Sequence, residues 1–286
     1  MADPSGGAQT IALAALLFAL GATVGSFLNV VIFRLPRRES LIRPGSRCLS
    51  CGQRLGALDL VPVLSYLLLR GRCRHCGRRF SPRYMLVELA TGLLCVAAWQ
   101  TLALTWPALL VFVAACCLIV IFFIDLDHYI IPDEAVTIIA CAGVALDVLQ
   151  LLARGAPAAI CFVEHFPAAD YHLCLPRSLV GLVVGGGVFL AITFVSDRIF
   201  KKPSMGGGDI KLAAAMGAVL GPGYQFLSYF LLSVGLGVVV AVGCMALGRR
   251  GRRDYIPFGP MMAAAGIAML YWGDLITPAV MSVYGG

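Results

Sequence analysis

The sequence predicts an all-α polytopic membrane protein with about eight transmembrane helices and a small cytoplasmic loop domain that binds zinc. Composition predicts the membrane part. Of the 286 residues, 60% are hydrophobic and only 13% are charged, whereas soluble domains are roughly 45–50% apolar and about 25% charged. Paired cysteine motifs inside one basic loop predict the zinc-binding domain.

Eight apolar stretches are candidate spans. Residues 11–33 follow Met1-Ala2-Asp3-Pro4, which lacks the positive charge of a secretory signal, so this stretch is interpreted as an uncleaved span. Because the hydrocarbon core needs about 20 helical residues, the stretch 210–223 is short and is expected to be tilted or only partly inserted. The other candidates are residues 84–104, 107–124, 135–153, 178–199, 225–248 and 256–276.

The positive charges in the loops predict one orientation. Of the 22 basic residues, 12 are arginines between Arg34 and Arg83, and loops rich in Lys and Arg stay in the cytoplasm. Eight crossings from an outside N-terminus then place the basic residues of 198–202 and 249–253 inside as well, and the loop of residues 155–177 outside. Every basic cluster agrees with this orientation.

Two cysteine pairs lie in the basic loop. Cys48-Leu-Ser-Cys51 and Cys73-Arg-His-Cys76 have the spacing of two knuckles that supply four thiolates to a tetrahedral zinc ion. Four protein ligands close the coordination sphere, so the zinc is expected to be structural. Reduced or redox-active cysteines are the alternative. Residues 57–69 between the pairs are too short to cross a bilayer and are expected at the interface.

A second pair of cysteines, Cys161 and Cys174, falls in the loop that is expected outside. Oxidation is possible there, and a disulfide would close a loop of about fourteen residues. Two separate thiols are the alternative, and the sequence leaves both open.

Two aspartates in apolar surroundings are the candidate catalytic residues. Asp125 ends the third candidate span, and Asp209 follows Gly206-Gly207-Gly208 at the start of the sixth. A carboxylate in a membrane is energetically unfavourable and usually has a function. In a pair of carboxyl groups, one can take a proton from water while the other gives a proton to a scissile carbonyl. Asp127 and Asp133 compete with Asp125, although an N-cap suits Asp133. The glycines are expected to give flexible backbone or a tight turn.

Two further polar residues, Asn29 and Glu88, lie within candidate spans. An interhelical hydrogen bond is the usual role of such residues. Glu88 is also a candidate for a second functional site. The arginines of the basic loop are interpreted either as contacts to anionic lipid head groups or as a solvated charged face.

Taken together, the motifs resemble the type IV prepilin peptidases, which are bifunctional leader peptidases and N-methyltransferases of bacterial pilus and type II secretion systems. They occur in the family's order across nearly the whole chain. The matching stretches are Gly25–Pro36, the two cysteine pairs, Arg70–Gly77, Phe123–Asp133, Gly206–Ala218 and Ile256–Pro260.

The resemblance implies that Asp125 and Asp209 are the catalytic aspartates of a dyad. It implies cleavage of a basic leader from prepilins or pseudopilins after a glycine, at the cytoplasmic face of the bacterial inner membrane. The new N-terminal residue is then methylated with S-adenosylmethionine. No soluble-type cofactor motif is present, so the methyl-donor site is expected at the first loop and the cytoplasmic ends of the early spans. Its candidate residues are Glu88, Asn29 and the arginines of the loop, and no nucleic-acid partner is expected.

The implied organisation has three parts. Residues 1–33 form the first span, residues 34–83 a basic zinc loop associated with methyl transfer, and residues 84–286 the peptidase core. Met85 stands where the family pattern suggests proline. One rival interpretation keeps the dyad but cleaves membrane proteins in general; another is a zinc-stabilised transporter or scaffold in which the aspartates bind protons or ions.

Overall fold

The fold is known from a computed structural model that describes residues 4–154, 159–166, 169–201, 205–247 and 256–283. Over these ranges it contains nine α-helices, two short 3-10 helices and one two-stranded sheet. The helices are α1 (Pro4–Arg34), α2 (Leu64–Leu68), α3 (Arg83–Leu102), α4 (Trp106–His128), α5 (Asp133–Arg154), α6 (Arg177–Phe200), α7 (Gly207–Leu220), α8 (Tyr224–Ala246) and α9 (Gly259–Val283).

The chain is a multi-pass membrane protein. Within the described residues, seven helices are long and apolar enough to cross a bilayer, namely α1, α3, α4, α5, α6, α8 and α9. Helix α7 is apolar but has only 14 residues, which at about 1.5 Å per residue is roughly 21 Å, against a hydrocarbon core of about 30 Å. The eight predicted stretches therefore correspond to eight helices, and the prediction that the sixth is short is confirmed.

The helices form two compact units, Met1–Ala108 and Leu109–Gly286. In the first unit, α3 packs along α1 because glycines let the two backbones approach. A Cβ added to Gly21 would lie 2.5 Å from Cβ of Cys95, and one added to Gly25 would lie 2.8 Å from Cα of Glu88. The sequence analysis placed boundaries at residues 33 and 83 on the basis of motifs and their implied functions. That three-part division stays a prediction.

Helix α7 lies in the core of the second unit, where it packs against α5, α6 and α9. The contact with α6 is the closest, since a Cβ added to Gly181 would lie 2.0 Å from the carbonyl oxygen of Gly217. Small residues at a helix interface are how membrane helices gain van der Waals contact. The largest fully buried side chains here include Leu118, Phe189, Leu212, Met216, Tyr229 and Met262.

The loop expected outside contains an antiparallel hairpin that the sequence analysis did not predict. Strand β1 (Ala159–Phe166) pairs with β2 (Ala169–Pro176), and the register places Cys161 opposite Cys174. The side chains of these two cysteines lie outside the part of the chain that the structure describes, so the disulfide stays a prediction. The all-α class is confirmed for the membrane helices, to which this hairpin is an addition.

Candidate active site and metal centre

Helix α4 carries Asp125 one turn before its end. The helix continues to His128, and the Asp125 carbonyl accepts a hydrogen bond from the Tyr129 N–H at 2.9 Å. The Asp125 side chain is only 6% exposed. Asp127, on another side of the helix, is exposed. Burial therefore favours Asp125 over its competitor Asp127.

The last helix holds Asp125 in place. Helix α9 begins at Gly259, and the Gly259 N–H donates a hydrogen bond to the Asp125 carboxylate. A Cβ added to Gly259 would lie 2.5 Å from Oδ2 of Asp125, closer than any side chain allows. The glycine of the Ile256–Pro260 motif is thus the residue against which the carboxylate packs.

Asp209 lies in the first turn of α7 and is also 6% exposed. Its N–H donates to the carbonyl of Gly206 at 3.1 Å, and the Gly206 N–H donates to its carboxylate. A Cβ added to Gly208 would lie 2.9 Å from Cβ of Ile131, whereas one added to Gly207 meets nothing within 4 Å. None of the three glycines has a positive φ. Of the three glycines, only Gly208 is required by close packing.

The structure brings Asp125 and Asp209 together. Asp125 is near enough for its negative charge to affect the Asp209 carboxyl electrostatically, and both side chains are buried in the second unit. Asp133, the other competitor, is exposed and binds Nζ of Lys211 at 2.8 and 3.0 Å. Two neighbouring buried carboxyls are the arrangement that an aspartic acid/base pair requires.

Tyr229 of α8 is a neighbour of this pair that the sequence analysis missed. Its ring is fully buried. The charge of Asp209 reaches it. No local sequence signal marks Tyr229, because an aromatic residue in an apolar helix is ordinarily interpreted as part of the hydrophobic core.

The four loop cysteines converge in the first unit. Their Sγ atoms lie within 4.8 Å of one another, and those of Cys48 and Cys76 are 3.9 Å apart. Zn–S bonds of about 2.3 Å in a tetrahedron place sulfur atoms about 3.8 Å apart. The thiol geometry therefore fits a single zinc ion. Cys48 and Cys73 are buried, whereas Cys51 and Cys76 are exposed.

The two cysteine pairs adopt the same turn, and that turn explains why they converge. In the first, the Gly52 N–H donates to the Cys48 carbonyl at 2.8 Å, and in the second the Gly77 N–H donates to the Cys73 carbonyl at 2.9 Å. Both glycines have positive φ, +70° and +68°, a conformation that glycine adopts without strain. Backbone N–H groups of Cys51 and Ser50 lower the pKa of the Cys48 thiol, and the thiolate is the form of cysteine that a metal binds.

Sequence comparison identifies the family. The model of the type IV leader peptidase family matches residues 112–242, where both aspartates lie. The model of the bacterial peptidase A24 N-terminal domain matches residues 19–102, where the cysteine cluster lies. The chain belongs to the type IV leader peptidase family. These two matches divide the chain close to where the structure divides it into two units.

Full-length relatives of this leader peptidase family carry two activities in their names. A prepilin leader peptidase/N-methyltransferase of Aeromonas hydrophila is 34% identical over 287 residues, covering 92% of this chain and 91% of the relative. A protein of the same name from Pseudomonas aeruginosa is 34% identical over 291 residues, covering 93% and 92%. No solved structure matches the chain at a significant level.

The N-terminal unit of this leader peptidase contains a cavity of about 600 Å³ between α1, α3 and the basic loop. Asn29 and Glu88, both candidates for the methyl-donor site, line it. Asn29 donates its amide hydrogen to the Tyr84 carbonyl at 3.0 Å, the interhelical bond expected of it. Oε2 of Glu88 accepts the N–H of Val63 at 2.8 Å.

Val63 is a further residue that sequence reasoning missed. Its φ of +61° is strained for a β-branched residue, and the bond to Glu88 stabilises this conformation. The residue directly precedes α2, in the segment between the two cysteine pairs. Glu88 therefore fixes the loop that forms one wall of the cavity.

Proposed function

We propose that this chain is a membrane aspartic endopeptidase that removes the leader peptide of prepilins or pseudopilins and then methylates the new N-terminal residue with S-adenosylmethionine. The observation that carries the proposal is the buried pair of Asp125 and Asp209. The names of the full-length relatives support both activities. They disfavour a transporter or a scaffold.

The peptidase step needs only the two carboxyl groups and water. One carboxylate takes a proton from water as the oxygen bonds to the scissile carbonyl carbon, and the other carboxyl donates its proton to the carbonyl oxygen. Collapse of the tetrahedral intermediate breaks the C–N bond, and the leaving amine takes up a proton. The Gly259 N–H orients Asp125, and the Gly206 N–H orients Asp209.

Exchange of each acid for its amide tests the dyad. Asp125→Asn and Asp209→Asn each remove an ionisable group, so cleavage of a prepilin by purified protein should fall at least a thousandfold. The matched controls are Asp127→Asn and Asp133→Asn, two exposed acids near the same site, which should retain at least half of the activity. Mass spectrometry of the product N-terminus measures both cleavage and methylation. Continued processing by both dyad variants would remove the basis of the proposal.

We also propose that Cys48, Cys51, Cys73 and Cys76 hold one structural zinc ion. The inter-sulfur distances fit the tetrahedral sphere, and four thiolates leave no open position for a substrate. Purified protein should contain about one zinc per chain, and Cys73→Ser should lower both the zinc content and the melting temperature. Cys141→Ser, an exposed cysteine of α5, is the control. Intact wild-type protein without zinc would refute the site.

The cytoplasmic location of the dyad is the third part of the proposal, in a bacterial inner membrane. Its support is the charge pattern, in which 12 arginines lie between residues 34 and 83. A basic loop repels a basic leader, so the proposed partners of these arginines are anionic lipid head groups, the carboxylate of the methyl donor or an acidic residue of the pilin. Assays with candidate prepilins would identify the pilins that the enzyme processes.

A further inference from the structure

We infer that the cavity of the N-terminal unit binds S-adenosylmethionine, and that Arg72, Arg79, Tyr66 and Phe80 of its lining contact the ligand. This inference rests on the proposed methyl transfer and names the site that performs it. The cavity is bounded entirely by residues 26–88, within the first compact unit. No candidate residue of the peptidase dyad contributes to it.

Location and size support the assignment. The dyad lies in the unit that matches the leader peptidase model, so the second activity needs a separate ligand site. The cavity's volume of about 600 Å³ lies within the roughly 300–1,000 Å³ of sites for ligands of this size. Its lining also combines aromatic, cationic and anionic groups, as a ligand with an adenine ring, a carboxylate and a sulfonium requires.

Aromatic residues offer a surface for the adenine ring. Tyr66, Phe80 and Tyr84 all line the cavity, and the Tyr66 hydroxyl donates to the Phe80 carbonyl at 3.4 Å. The rings of Phe80 and Tyr84 meet edge to face, with centroids 6.5 Å apart. Tyr66 also packs tightly on Gly71, where an added Cβ would lie 2.7 Å from its hydroxyl oxygen. These rings are held in place before a ligand arrives.

The arginines that line the cavity differ in whether their guanidinium groups already bind other groups of the protein. Arg74 binds Asp59 at 3.0 Å, and Arg34 donates to the carbonyls of Ser40 and Pro44. By contrast, the guanidinium groups of the other four arginines of the lining have no hydrogen bond or ion pair within the described residues: Arg47, Arg72, Arg78 and Arg79. Of these four, Arg72 and Arg79 lie opposite each other. Their backbones pair across the second knuckle, which places both beside the cavity. A ligand carboxylate is the natural partner of such a guanidinium.

Glu88 supplies the opposite charge. Its carboxylate lies on α3, lines the cavity and is fixed by the Val63 N–H at 2.8 Å. A fixed carboxylate attracts the sulfonium and the ammonium of the donor. In the transfer, the N-terminal amine of the pilin forms a bond to the methyl carbon as the S–C bond breaks. The electron pair of that bond stays on sulfur, and the amine releases a proton to water.

Photo-crosslinking tests the location directly. Purified wild-type protein is irradiated with methyl-labelled S-adenosylmethionine, digested and mapped by mass spectrometry. We expect the label on peptides from residues 26–88, and excess S-adenosylhomocysteine should abolish it. Label confined to residues 109–283 would overturn the inference. So would absence of label in a preparation that still cleaves prepilin, and that outcome would leave the peptidase proposal intact.

A matched pair of arginine variants tests the residues. Arg79 and Arg54 occupy equivalent positions after the two cysteine pairs, and each pairs with an arginine across its knuckle, but only Arg79 lines this cavity. Arg79→Gln should weaken binding of S-adenosylhomocysteine about tenfold or more in calorimetry, consistent with loss of a hydrogen bond to a charged group. Arg54→Gln should bind as the wild type does. Equal affinity of both variants, at unchanged melting temperatures, would refute the role of Arg79.

Discussion

At the scale of single residues, the carboxyl group of Asp125 depends on a contact from the start of α9. The Gly259 N–H donates to the carboxylate, and no side chain fits at Gly259. An acid in the membrane keeps a defined position only if the surrounding groups satisfy its oxygen atoms. The residue that orients the acid is therefore as important for the dyad as the acid itself.

Exchange of this glycine should abolish cleavage without removing an ionisable group. The methyl of Gly259→Ala would have to displace the Asp125 carboxylate from a position 2.5 Å away, and a misplacement of about 1 Å in a catalytic group costs about a hundredfold in rate. We expect prepilin cleavage to fall by about that factor, measured in detergent with purified protein.

Gly207→Ala is the control for this prediction, because a Cβ at that position meets nothing within 4 Å. It should cleave at close to the wild-type rate. If Gly259→Ala also cleaves normally while it folds normally, the contact between α9 and Asp125 has no role in the dyad.

At the scale of helices, the position of Asp209 depends on how closely α7 packs on α6. The carbonyl oxygens of Gly181 and Gly217 each lie about 2 Å from where the other's Cβ would stand. Asp209 lies in the first turn of the same short helix, so a shift of α7 moves the carboxyl. The seam of glycines is thus a structural requirement of the active site as well as of the fold.

The glycines of α6 allow a test within one helix. Gly181→Ala should separate α6 from α7 and destabilise the protein by about 1–3 kcal/mol, as overpacking of a core does. The melting temperature in detergent measures the loss, and cleavage should fall with it. Gly187→Ala, at an exposed position of α6 with nothing within 4 Å, should change neither. Equal melting temperatures for the two variants would contradict the close contact.

Local patterns in the sequence predicted some of this and could not predict the rest. Apolar stretches predicted eight helices because hydropathy is a local property, and the charge of Asp125 and Asp209 marked them because carboxylates are rare in apolar segments. The choice of Asp125 over Asp127 needed the helix rotation and the contact from Gly259. Likewise, the bond from Val63 to Glu88 joins a loop to a helix far along the chain, and no local signal encodes it.

At the scale of the whole molecule, the short helix α7 determines how the chain crosses the membrane. Its length of roughly 21 Å falls short of a hydrocarbon core of about 30 Å, so its last carbonyls end within the apolar layer unless another group reaches them. Arg177 supplies that group, since it donates to the Leu220 carbonyl and to Oε1 of Gln225. Because Arg177 binds the carbonyl at its C-terminus, α7 can cross the membrane although it is short.

Reporter fusions test this crossing and the orientation together. Alkaline phosphatase is active only outside the cytoplasm, so fusions after Pro176 and after Gly223 should be active, and fusions after Gly77 and after Lys201 should be inactive. Green fluorescent protein fused at the same four positions is the control for expression and should give the reverse pattern. Inactive phosphatase after Gly223, with an active fusion after Pro176, would show that α7 enters and leaves on one side. Activity after Gly77 would reverse the whole orientation, because the 12 arginines of that loop would then lie outside, against the charge rule.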